Sequence, residues 1–231
     1  MDTPHFRKFS REEQLLHTVV LHANDAPARG LFDGQMGLVL VLSEYARTRR
    51  APELRTAIRF LLDQVLEHLD EGMPLDFANG LTGIGWGVEY LLARGFQRGS
   101  GADICAAIDR KLMERDLLRQ TDLSLDTGLE GWLHYLAAHV QGARREGREV
   151  TDAAYLAACR ELCGRIAGAD VPPTLRRVAA TLAGLLEGRD TDYTFHLGAL
   201  VLPAARKEKN LLGLRAGMAG RLLLLLENAY T

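Results

Sequence analysis

The chain has 231 residues, 47% of them hydrophobic and 25% charged, with 28 Lys and Arg against 30 Asp and Glu and a pI near 6.4. That composition fits one folded domain over residues 1–231 and leaves no net positive field for nucleic-acid phosphates. No apolar run approaches the roughly 20 residues of a membrane helix, and none follows the charged N-terminal MDTPHFRKFS, so neither a membrane partner nor a secretory signal is expected and the location is read as cytoplasmic.

Leu occurs 41 times and Ala 29 times, whereas Val and Ile together reach 16, which favours helix formers over strand formers and predicts an all-α fold. In chain order, Ser10 and Glu13 form a capping box that opens a helix to about Ala23. Gly34-Gln35-Met36-Gly37 then leads into the apolar LVLVLSEYAR. Pro52 opens an amphipathic helix to about Leu69, stopped by Gly72 and Pro74. Gly80-Leu81-Thr82-Gly83 leads into IGWGVEYLLAR, and a further amphipathic helix spans about Ala102 to Leu118. Gly128-Leu129-Glu130-Gly131 precedes WLHYLAAHV, and the next helix runs from Asp152 to Ala167 with Thr151 as its N-cap. Pro172-Pro173-Thr174 starts LRRVAATLAGLL, and Gly217-Met218-Ala219-Gly220 starts RLLLLLENA.

The first glycines of the four pairs lie 46, 48 and 89 residues apart, the last being close to twice the period. The helix at Pro172 is then a repeat that has lost its glycines, and the chain reads as about five helical hairpins, each an outer amphipathic helix followed by an inner one. A helical solenoid and an α/α toroid both have such a period. Each helical glycine costs up to about 1 kcal/mol relative to Ala, so close helix packing or open backbone N–H groups at a central cavity must offset it.

The segments Phe77-Ala78-Asn79-Gly80-Leu81-Thr82-Gly83-Ile84-Gly85-Trp86 and Gly213-Leu214-Arg215-Ala216-Gly217-Met218-Ala219-Gly220, with the other two glycine pairs, resemble the inner helices of the lanthionine synthetase C-like family. The resemblance implies a double-layered α/α toroid. In that family a central zinc, held by two cysteines and a histidine, activates peptide thiols for addition to dehydrated Ser or Thr. The chain departs from the family at that point, because the Gly-Leu-Cys-His-Gly segment reads Gly213-Leu214-Arg215-Ala216-Gly217, the Trp-Cys-x-Gly segment has no counterpart, and five hairpins replace seven. The resemblance therefore implies a short, non-cyclising member with no catalytic residues, no cofactor and no metal site, acting as a peptide-binding or accessory module.

If the helices form a ring, the residues before and within the glycine turns face its centre. Asp33, Asp76, Asn79, Thr82, Asp126, Glu130 and Arg215 are the candidate ligand-binding residues, with Gln35 and Thr127 beside them and His196 reaching in from Thr-Phe-His-Leu-Gly. Asp, Asn and Thr are also ordinary N-caps. Arg215 either pairs internally with an aspartate or offers its fork to a ligand carboxylate or phosphate. Asp76 and Asp126 could alternatively serve as the acid and base of a hydrolase on an α/α barrel, and a purely structural scaffold is the third reading. Cys105, Cys159 and Cys163 read as reduced thiols; Cys159 and Cys163 share a helix face and could in principle both bind metal, but their apolar surroundings favour a core role. His134 and His139, five apart on one helix, should diverge, and Trp86 and Trp132 read as core. A peptide or protein partner is expected, with no nucleic acid.

Overall fold

A computed structural model describes residues 9–26, 28–69, 72–148, 152–202 and 211–228. Among them the protein is all-α and has no strand, with α1 (Arg11–His22), α2 (Gln35–Thr48), α3 (Arg55–Glu67), α4 (Leu81–Ala93), α5 (Gly101–Met113), α6 (Leu129–Arg145), α7 (Ala153–Gly168), α8 (Pro173–Leu186) and α9 (Met218–Asn228). Among the described residues no helix is long and apolar enough to cross a membrane.

The Ser10 and Glu13 capping box is formed in both directions. Elsewhere local chemistry shifts the expected boundaries. The helix expected from Ala102 to Leu118 ends at Met113, and Leu117–Arg119 is a separate 3-10 turn whose Leu118 N–H donates to Asp116 Oδ1 at 3.1 Å. Pro52–Leu54 is likewise a 3-10 turn ahead of α3. The N-cap of α7 is Asp152, which accepts from the Tyr155 N–H at 2.8 Å; Thr151 lies outside the described residues.

Burial separates two layers. In α2, eleven of fourteen residues are buried, in α4 ten of thirteen and in α6 thirteen of seventeen, so these helices are enclosed all round. On α3 only Ile58, Leu61, Leu62 and Val65 are buried, a single stripe at i, i+3, i+4 and i+7, and α5 and α7 show the same pattern. The inner helices pack in the order α9, α2, α4, α6, α8, while α1 covers α9, α3 covers α2, α5 covers α4 and α6, and α7 covers α8. The inner helix that lacks a leading glycine pair, α8, buries Leu175, Val178, Ala179, Leu182, Gly184 and Leu185 of its fourteen residues, so it is less enclosed than α2, α4 and α6.

The glycine pairs explain this order. Gly34, Gly80 and Gly128 are extended N-cap residues, and in all four repeats the first helical N–H donates to a carbonyl seven residues upstream: Gln35 to Ala28, Leu81 to Pro74, Leu129 to Asp122 and Met218 to Leu211, at 2.8–3.0 Å. These helix-end donors are thereby satisfied by the chain's own preceding loop. A Cβ on the second glycine would overlap the carbonyl oxygen of Leu31, Phe77, Leu125 or Leu214, six residues upstream. The same absent Cβ admits the neighbouring repeat: at Gly37 it would stand 3.0 Å from Leu214 Cβ, at Gly83 3.1 Å from Leu31 Cβ, and at Gly131 it would overlap Phe77. Leu214, Leu31 and Phe77 are equivalent positions, so three of the loops insert an apolar side chain from the same position against the next repeat's glycine.

Candidate functional site

Next to Leu31, Phe77, Leu125 and Leu214 stand Phe32, Ala78, Asp126 and Arg215, and these four carry a backbone chain along the helix N-termini. Arg215 N–H donates to Phe32 C=O (3.2 Å), Phe32 N–H to Ala78 C=O (2.7 Å), and Ala78 N–H to Asp126 C=O (2.9 Å). Its two ends then meet through side chains, because the Arg215 guanidinium lies 3.1 Å from Asp126 Oδ1 and 4.2 Å above the Phe32 ring. Of the two roles open to Arg215, the internal ion pair is the one formed.

The other candidates at this end are also occupied by neighbours. Asn79 Oδ1 accepts from the Asp33 N–H (3.1 Å), Asn79 Nδ2 donates to Asp33 Oδ2 (3.2 Å), and the Asn79 N–H donates to Asp76 Oδ1 (2.7 Å). Thr82 is fully buried and donates to Leu75 C=O at 2.8 Å. Gln35 is bound between Arg29 and Gln64, and Thr127 donates to Asp122 Oδ2. Glu130 is buried, which pushes its pKa up. The sequence candidates thus fall into an Asp33, Asp76, Asn79 group, an Asp126 and Arg215 pair, and separate buried residues.

A cavity of about 730 Å³, within the range of small-ligand pockets, lies at the opposite, C-terminal ends of the inner helices. Of the candidates only His196 lines it; Asp76 and Asp126 do not. Its charged rim includes Glu44, held by Arg47 (2.6 Å), Arg94 (3.0 Å) and the Tyr90 hydroxyl (2.5 Å). Arg50 and Arg145 also line it and have no carboxylate partner among the described residues.

One wall is the chain itself. Residues 190–196 run without regular structure past α4 and α6, and Gln141 reads their backbone on both sides, its Oε1 accepting from the Tyr193 N–H (2.5 Å) and its Nε2 donating to the Tyr193 C=O (3.0 Å). The Tyr193 hydroxyl accepts from Trp86 Nε1 (2.9 Å) and stands 2.8 Å from His134 Nδ1, while Phe195 packs against both Trp86 and His134. Burial pulls the His134 pKa down to about 4, so its Nδ1 is a free acceptor for the tyrosine proton at neutral pH. Trp86 is therefore more than core. Trp132 is core, with its Nε1 satisfied by Leu75 C=O at 2.9 Å.

Five residues along α6, His139 has the opposite environment. Its Nδ1 is 2.6 Å from Glu89 Oε1, its Nε2 is 3.0 Å from Asp109 Oδ2, and Asp109 Oδ1 accepts from the Tyr135 hydroxyl at 2.5 Å. Burial opposes the imidazolium, but its N–H donation to Asp109 and Glu89 and their negative charges together outweigh it and hold the pKa at about 10. Burial pushes Glu89 up against the opposing pull of His139. Cys105 is fully buried beside this group, whereas Cys159 and Cys163 are buried in α7 with thiols pushed by desolvation to about 12 and 11.

Gln141, Tyr193 and the His139 group escaped the sequence reading because their partners lie 26 to 107 residues away along the chain. The signal available was the polar residues Glu89, His134, His139 and Gln141 on otherwise apolar helices.

The architecture defines an all-α protein of repeated helical hairpins with a cavity at one end of its inner layer. No protein-family model, curated protein or solved structure matches the chain.

Proposed function

We propose that the chain is a short, non-cyclising relative of the lanthionine synthetase C-like proteins, an incomplete or small α/α toroid that binds peptide as an accessory module in a peptide-modification pathway. Four glycine-led loops in one register, three of which insert an equivalent side chain against the next repeat's glycine, support the toroidal part of this reading. The residues at the family's ligand positions do not fit a zinc ion: the Arg215 guanidinium is committed to Asp126 and Phe32, and Ala216 has no donor atom. No cyclase step is assigned there.

The observation that carries the peptide reading is the way α4 and α6 already hold an extended stretch of chain. Gln141 pairs with both backbone polar groups of one residue, Tyr193, and the Trp86 and His134 socket takes the Tyr193 and Phe195 side chains. The cavity continues that surface and adds Arg50 and Arg145, which suit a peptide carboxylate.

Short dye-labelled peptides with free or amidated C-termini test this by fluorescence anisotropy, with Trp86 emission as a second signal. Peptides with a free carboxylate should bind more tightly, and Arg50→Ala with Arg145→Ala should weaken them about tenfold, equivalent to about 1.4 kcal/mol. Absence of binding to every peptide, or equal affinity in the double variant, overturns the reading.

A further inference from the structure

The geometry points to a divalent-metal site, suited to zinc, formed by Glu89 of α4, Cys105 of α5 and His139 of α6. One ligand atom from each of these residues lies within 4.8 Å of the other two, and the three residues are 3%, 0% and 2% exposed. The site lies between three helices and is separate from the glycine-led loops, and it does not depend on the peptide reading.

Four features distinguish this cluster from a chance meeting of polar side chains. The donors are a carboxylate, a thiol and an imidazole, a mixture that selects zinc over magnesium or calcium. Each comes from a different helix, so their convergence is a product of packing rather than of one helix face. His139 is backed at Nε2 by Asp109, 3.0 Å away, leaving Nδ1 toward Glu89, and a carboxylate behind the far nitrogen is the usual orienting partner of a metal-bound histidine. Room for the Glu89 carboxylate is provided by two glycines, since a Cβ at Gly101 or at Gly142 would overlap its oxygens.

The Glu89 to His139 contact is a 2.6 Å hydrogen bond, and donors around a tetrahedral zinc stand roughly 3.3–3.8 Å apart. Binding therefore opens that pair by roughly 1 Å. It releases the Cys105 thiol proton and the His139 Nδ1 proton, leaving thiolate, neutral imidazole and carboxylate on the cation with Asp109 still accepting from Nε2–H. Glu89 also lines the cavity, which gives an ion a path to an otherwise closed interior.

The test is titration of chelator-treated full-length protein with Zn²⁺ or Co²⁺ alone. Zinc should bind at about one ion per chain and raise Tm, and cobalt should produce a thiolate-to-metal charge-transfer band in the near ultraviolet. The band should persist in the Cys159→Ser, Cys163→Ser double variant and vanish in Cys105→Ser, with His139→Gln weakening binding at least tenfold. If Cys105→Ser does not fold, the double variant alone decides: a retained band supports the site, and a lost one assigns the thiolates to α7 and overturns it. No cobalt band in the native sequence also overturns it, leaving Glu89, His139 and Asp109 as a metal-free internal ion-pair network.

Discussion

At the N-terminal ends of α9, α2, α4 and α6 the backbone binds the backbone, in one register from loop to loop; at their C-terminal ends the same helices are joined by side chains around a cavity. The first arrangement needs glycine, because loop and helix approach to where a Cβ would overlap a carbonyl. It leaves little for a ligand, since the helix-end donors are already satisfied. The second arrangement needs particular polar and aromatic residues, and it leaves space. Sequence motifs are therefore strongest where this protein is structurally closed, and weakest where it is open.

The sharpest way to break this contrast is Gly131→Leu. Its side chain would meet both Leu125 C=O and Phe77, and the cost should be several kcal/mol, enough to lower the denaturant midpoint severely or prevent folding. A near-neutral change in chemical denaturation would mean the loops are not in close contact.

Acid should act on the cavity end next. His134 is buried and neutral when folded but charges in the unfolded chain near pH 6.5, so the unfolded state binds more protons between those values. Stability from this group is full above about pH 6.5 and falls as pH drops toward 4, by about 3 kcal/mol in all. In His134→Phe the pH dependence of denaturant-derived stability over that window should flatten; an unchanged slope would assign the acid sensitivity elsewhere.

A smaller effect is expected where the loop chain closes. Arg215→Ala and Asp126→Ala should each cost about 1 kcal/mol, because both side chains are partly exposed. A double-mutant cycle should return a favourable coupling. Additive effects would show the pair to be incidental to the loop register.

The smallest is at Asp33, where an exposed carboxylate shares Asn79 with the backbone. Asp33→Ala should change Tm by no more than a degree or two, equivalent to within about 0.5 kcal/mol. A large loss would show that this edge of the loop layer bears load.

The all-α class, the capping box at Ser10, the amphipathic outer helices and the glycine-led inner ones were determined by sequence alone, because helix propensity, caps and the 3.6-residue period act within a few residues of one another. That the glycine pairs mark close approach was equally legible, since a helical glycine costs up to about 1 kcal/mol and the same pair recurs at four helix starts. The identity of what approaches was not. Gly83 meets Leu31 and Gly131 meets Phe77 through a repeat register that spacing suggests but cannot orient.

The functional side chains were decided by tertiary structure. Candidates chosen for adjacency to the glycines, such as Asp76, Asn79 and Asp126, are bound to neighbouring groups at the closed end, whereas His196 alone reaches the cavity. His134 and His139 are nearly indistinguishable in sequence, on one helix and both within apolar surroundings. Packing buries the first beside a tyrosine hydroxyl, and burial takes its pKa down to about 4, whereas it gives the second two carboxylates that hold its pKa at about 10. The reason is physical: burial and hydrogen-bond partners set the charge of a titratable group, and here those partners come from chain segments that only folding brings together.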